Sequence, residues 1–140
     1  MPQFDVNFTA VLVAAIVSMI AGMVWYNPKL FGKSWMEGMG FTPDYMNKQQ
    51  ERGMGKYYFM SFIGSILTAY ILAYFIKVLV AVDFFGAFQT AFWIWLGFIA
   101  TTLFGQILWD GKTAKVYFIN AGYQLVNLFA MALVLVFWPW

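Results

Sequence analysis

Cysteine and histidine are both missing from the 140 residues of this chain. Their absence removes zinc sites of the usual Cys/His kind, His-ligated haem, thiol redox chemistry and the Ser-His or Cys-His nucleophilic pairs. Charge is scarce too, at 10% of residues, where a soluble domain carries about 25%. The six carboxylates, Asp5, Glu37, Asp44, Glu51, Asp83 and Asp110, fall at the start of the chain, in loops or at the ends of apolar runs. A proton relay or a voltage sensor needs ionisable groups inside the membrane, and none is predicted there. The net charge of +2, with Glu37, Asp44 and Glu51 set among the basic residues, offers no clustered basic face for nucleic acid. The expectation is therefore a protein that is not an enzyme, with no cofactor, no metal and no nucleic-acid partner.

What the chain does contain is apolar length. Hydrophobic residues make up 63% of it. Four runs, at 8–26, 57–82, 85–109 and 114–138, carry no charge near their middles. Each meets the roughly 20 residues that a helix needs to cross a hydrocarbon core about 30 Å thick. Backbone groups in lipid can be satisfied only by helices or closed barrels, and runs this long without two-residue alternation predict helix. The fold class expected is an all-α integral membrane protein, residues 1–140 forming one four-span domain.

The first run is read as a retained span rather than a secretory signal. Its leader Met-Pro-Gln-Phe-Asp has no basic residue, and Trp25-Tyr26-Asn27-Pro28 makes a poor cleavage site. Pro28 should end that helix, because it lacks an N–H and biases Asn27 away from helical angles. Trp25 and Tyr26 are expected at headgroup level, as are Trp109 and the closing Trp138-Pro139-Trp140. With Lys29, Lys33 and Trp35 they form a candidate set of headgroup contacts.

Basic residues set the orientation, since positively charged short loops stay in the cytoplasm. Lys29, Lys33, Lys48, Arg52 and Lys56 lie between spans one and two, and Lys112 and Lys115 follow span three, against Lys77 alone on the opposite side. Loops 27–56 and 110–113 are expected to be cytoplasmic and both termini outside, in a cytoplasmic (inner) membrane. Within segment 28–56, Leu30, Phe31, Trp35, Met36 and Met39 recur at near-helical spacing and predict a short amphipathic interfacial helix ended by Gly38 and Gly40. Thr42 followed by Pro43 predicts the start of a second, polar helix over 43–52.

Uncharged polar residues inside the runs are the remaining candidates for function. Asn120, Gln124 and Asn127 share one helical face within about 60° of arc, and Gln106 of span three is a possible partner. Such amides serve either as interhelical bonds or as the lining of a route for a small solute. Small residues recur every four positions at Ala10, Ala14, Ser18 and Gly22 and at Gly97, Thr101 and Gly105, a spacing that lets helix backbones approach closely. These mark candidate packing faces, toward another span or toward a neighbouring subunit.

The stretch Trp25-Tyr26-Asn27-Pro28-Lys29-Leu30-Phe31-Gly32-Lys33-Ser34-Trp35-Met36, with Trp95-Leu96-Gly97-Phe98 and Asn120-Ala121-Gly122-Tyr123, resembles the small bacterial membrane proteins grouped as domain of unknown function 1761. The similarity covers nearly the whole chain. It implies a four-span membrane fold and brings no activity or site residue with it. The functional expectation is a protein that acts through protein or lipid contacts, as a homo-oligomer or as an accessory subunit of a membrane complex. The alternative is a transporter or channel lined by the polar residues of spans three and four.

Overall fold

The structure, a computed structural model, describes residues 3–139. Trp140 and the first two residues of the leader, for which the sequence raised expectations, lie outside the described residues. The described chain is helical throughout its regular elements: α1 (Phe8–Trp25), α2 (Gly32–Met39), α3 (Pro43–Glu51), α4 (Gly55–Val78), α5 (Phe84–Ile94), a π-helical stretch (Trp95–Ala100), α6 (Thr101–Leu103), α7 (Gly105–Leu108) and α8 (Ala114–Phe137). Four spans long and apolar enough to cross a membrane result, with the third running from Phe84 to Leu108. The chain is a multi-pass membrane protein.

Local chemistry accounts for most of the boundaries. Each helix leaves its first N–H groups without a partner inside the helix, and side-chain oxygens supply one. Asn7 Oδ1 accepts from the N–H groups of Thr9 and Ala10. Thr42 Oγ1 accepts from Tyr45 N with Pro43 at the first helical position, Asp83 Oδ1 from Gly86 N, and Thr113 Oγ1 from Val116 N. At its other end α2 stops at Gly40, whose φ of 75° closes a Schellman turn through Gly40 N to Glu37 O and Phe41 N to Met36 O. Segment 28–56 thus holds the two helices predicted for it, α2 and α3, with α2 running through Gly38 rather than ending there.

Helices α1 and α8 form the heart of the bundle, with α4 packed on α1 and α5 on α8. Spans one and two run antiparallel: Phe4 meets Tyr74 and Phe8 meets Tyr70, while further along α1 Ser18 Oγ lies 3.2 Å from Ser65 Oγ. The core is built largely from alanines at four-residue intervals, Ala10 and Ala14, Ala69 and Ala73, Ala87 and Ala91, all fully buried. Lipid tails are as apolar as leucine, so burial alone drives helices together only weakly in a bilayer. Backbones brought close by alanine gain dense van der Waals contact instead.

The third span departs from the uninterrupted helix expected over 85–109. Trp95–Ala100 is π-helical, and Phe104 separates two short α segments. Contacts with α8 hold the irregular stretch at both ends: Trp95 Nε1 donates to Ala121 O at 2.7 Å, and Tyr117 Oη donates to Ala100 O at 3.0 Å. Gly97 within it and Gly105 beyond it lower the helical preference of this region. Exposure follows the same contrast, because 11% of the third span's most apolar stretch is buried against 39% of the fourth's.

Candidate functional site

The three sequence stretches that carry the family resemblance are far apart in the chain and meet at one end of the bundle. There α1 stops at Asn27-Pro28 and turns back tightly. Asn27 Oδ1 accepts from Lys29 N, and Asn27 O accepts from Leu30 N and Gly32 N at 2.9 and 3.0 Å. The turn is so close that a Cβ on Gly32 would collide with the Tyr26 carbonyl oxygen. Glycine at this position is a requirement of space.

Trp25 and Tyr26 project from this turn onto α8. Trp25 Nε1 donates to Ile119 O at 3.0 Å, and the edge of its ring passes so near Gly122 that a Cβ there would lie 3.3 Å from Trp25 Cζ2. Trp95 reaches α8 too and bonds the carbonyl two residues further on. A carbonyl oxygen has two lone pairs, so Ile119 and Ala121 can each hold an indole without giving up the helix bond. Spans one and three are thereby pinned to the same turn of span four.

Tyr26 Oη donates to Asn120 Oδ1 at 2.7 Å, and Asn120 Nδ2 reaches Gln106 Oε1 at 3.5 Å, the outer limit of a hydrogen bond. The Tyr26 ring lies edge-on to both Tyr123 and Trp35; from Trp35 the aromatic series runs through Phe41 to Tyr45. Tyr123 stands over Gly22, where a Cβ would come within 3.0 Å of its hydroxyl. Gly38 brings α2 against Val116 of α8 in the same way. Rings and amides therefore join α1, α2, α3, the third span and α8 at this junction.

The residues singled out from sequence fall into separate groups. Of the polar face on span four, Asn120 meets Gln106, whereas Gln124 is half-buried and its side chain makes no hydrogen bond among the described residues. Asn127 is 7% exposed and its Oδ1 has no hydrogen-bond partner among the described residues. Of the two small-residue faces, Ala10, Ala14 and Ser18 are buried under α4 and α8, with Gly22 beneath Tyr123. Gly97 has nothing within 4 Å of a notional Cβ, Gly105 has only its own Trp109, and Thr101 is exposed. Thr68, Thr101 and Thr102 bond carbonyls four residues back in their own helices, so these hydroxyls are not interhelical bonds.

The expected headgroup set also divides. Lys29, Lys33 and Trp109 are exposed, Trp109 to 85%. Trp25 and Tyr26 direct their polar atoms into the bundle instead, and Trp35 is half-buried against Tyr26 and Phe41. Gly22, Gly32 and Gly122 were the signal that could have shown this, since each marks a spot where an aromatic ring or the backbone itself comes close. In the sequence the first belongs to a packing stripe, and the other two stand within the stretches that carry the family resemblance. Among the described residues no three Asp or Glu side chains gather as a metal site would require.

No curated protein and no solved structure matches the chain. The family model described as protein of unknown function (DUF1761) matches residues 9–136, which takes in every element of the junction, and the chain belongs to that family.

Proposed function

We propose that this protein is a non-enzymatic membrane subunit that works through helix contacts, with copies of itself or as an accessory part of a larger complex. It resides in a bacterial cytoplasmic membrane with its termini outside and the basic segment 27–56 in the cytoplasm. The observation that carries this reading is the contrast between the two small-residue faces. The stripe on α1 is covered within the chain, whereas Gly97, Thr101 and Gly105 on the third span have no helix against them. Small side chains in that pattern let a neighbouring helix approach closely. Native mass spectrometry after gentle extraction tests it: the expected result is a multimer or a stoichiometric partner that is lost in Gly97→Leu. A monomer in the unaltered protein overturns the reading.

A solute route is the second reading, and one observation favours it. Asn127 keeps an unpaired amide oxygen deep in span four, which is costly unless something passing or binding satisfies it. Uptake into liposomes that is abolished by Asn127→Leu, with assembly intact, would establish a route. Loss of assembly first would assign the amide to packing.

A further inference from the structure

The basic residues of this chain differ in their company. On and beside α3, Lys48 and Arg52 stand among Asp44 and Glu51, and Lys112 and Lys115 follow Asp110. At the opposite end of the bundle, the turn after α4 carries both Lys77 and Asp83 and closes in a Schellman pattern, with Val80 N to Lys77 O at 3.2 Å and Ala81 N to Ile76 O at 3.0 Å. Lys29 and Lys33 have no such balance. The chain holds no Asp or Glu from Val6 to Met36, and Asp5 lies beyond the far end of α1, a helix about 27 Å long. Glu37 is the nearest carboxylate in sequence, and neither lysine forms an ion pair among the described residues.

The two lysines sit on a fixed turn. Asn27 Oδ1 accepts from Lys29 N, Asn27 O from Leu30 N and Gly32 N, and Trp25 O from Phe31 N at 3.2 Å, so residues 29 to 32 are all bonded back to the end of α1. A turn that follows directly on an apolar span lies at headgroup depth. Its outward surface is amphiphilic. Lys29, Leu30, Phe31 and Lys33 are exposed, Leu30 to 52% and Phe31 to 40%, and the Phe31 ring rests on Trp25 with 4.4 Å between centroids. Trp25 and Tyr26 turn their polar atoms into the bundle, so headgroup contact at this end of α1 falls to Lys29 and Lys33.

The chemistry of that surface selects its occupant. Two ammonium groups without a carboxylate attract a phosphate, and a head that carries its own cation, as choline does, loses most of that attraction. An acidic peptide would answer the charge and leave Leu30 and Phe31 uncovered, whereas acyl chains at the interface cover them. A lipid of net negative charge satisfies both parts.

We infer that the turn at 29–33 is a site for an anionic phospholipid, its phosphate held by the Lys29 and Lys33 ammonium groups and its acyl chains against Leu30 and Phe31. The site goes beyond the assembly reading and holds whether or not the chain multimerises. It is also narrower than a general bias of basic loops to one side of the membrane, because two of the eight basic residues carry it. The test is native mass spectrometry of the intact protein titrated with phosphatidylglycerol or phosphatidylcholine of identical chains. The first phosphatidylglycerol should bind about thirtyfold tighter than the first phosphatidylcholine, roughly fivefold for each lysine. Lys29→Gln with Lys33→Gln should bring the two lipids level, while Lys48→Gln with Arg52→Gln, which removes the same charge from the α3 region, should leave the preference in place. All four side chains are exposed or half-buried without ion pairs, and melting curves that match the unaltered protein would show that the fold is kept. Equal binding of the two lipids by the unaltered protein overturns the inference. An equal loss of preference in the Lys48 and Arg52 pair overturns it too, by making the preference a property of net charge. Displacement of phosphatidylglycerol by equimolar inorganic phosphate would assign the lysines to a free anion, and would also overturn it.

Discussion

The two ends of this bundle use similar residues to opposite effect. Where α1 stops and α8 begins, aromatic rings point inward, their N–H and O–H groups bond the backbone and amide of α8, and glycines make room for them. Where α4 stops and α5 begins, Phe85 and Trp93 are exposed, a groove stays open, and a valine occupies a position that suits glycine. Aromatic content does not separate the two ends. The difference lies in whether a small residue on a neighbouring helix lets the ring come close enough for its polar atom to find a carbonyl. A sealed end resists change of shape, and an open end leaves surface for lipid or a partner.

The largest expected effect tests the sealed end. Gly32→Ala places a methyl group into the Tyr26 carbonyl, where backbone must move, and should cost about 3 kcal/mol, at the upper end of overpacking penalties. Thermal unfolding in detergent, followed by tryptophan fluorescence, should show a clear fall in melting temperature. An unchanged midpoint would mean that the turn is looser than its contacts indicate.

The polar residues of span four offer an intermediate effect. Asn120→Leu strands the Tyr26 hydroxyl and should cost about 1–2 kcal/mol. Asn127→Leu removes an amide oxygen that has no partner and should be neutral or stabilising. A double-mutant cycle of Tyr26→Phe with Asn120→Leu should give a coupling of about 1 kcal/mol. Equal losses from the two Asn substitutions would erase the distinction between a paired and an unpaired amide.

The smallest effect compares two Schellman turns. Gly40 and Val80 occupy the same position in turns of the same kind, with φ of 75° and 53°. Val80→Gly should raise stability by about 1 kcal/mol, and Gly40→Val should lower it by a similar amount, since nothing lies within 4 Å of a Cβ at Gly40 and only the backbone preference is at stake. Paired melting curves in one detergent would read both signs. A destabilising Val80→Gly would show that the valine side chain, rather than the turn, is what the open end requires.

How much was legible beforehand depends on how far apart the responsible residues lie. The four spans were readable within a few residues of their ends, as was the start of a helix at Thr42, because each rests on a contiguous window or on a side chain that bonds its own backbone. The small-residue stripe on α1 was visible as spacing. Trp25 and Tyr26 were expected at headgroup level, and that their polar atoms turn to α8 was not legible, since an amphipathic ring suits a headgroup region equally well until a carbonyl is offered nearby. The π-helical stretch in span three gave no sequence signal beyond Gly97, because its causes include Ala121 and Tyr117 on another helix.

By itself, then, the sequence determined that this chain crosses a membrane four times, where its spans begin and end to within a few residues, and which residue types were available for chemistry. Those properties add up locally, from transfer of apolar side chains into lipid and from backbone hydrogen bonds closed within a few residues. Only the tertiary structure decided that Asn120 pairs with Tyr26 while Asn127 Oδ1 finds no partner among the described residues, that one small-residue stripe is covered and the other bare, and that the bundle is sealed at one end and open at the other. Those outcomes depend on which helices meet and at what depth, and in lipid that is settled by close packing between distant segments rather than by hydrophobicity, which all four spans share.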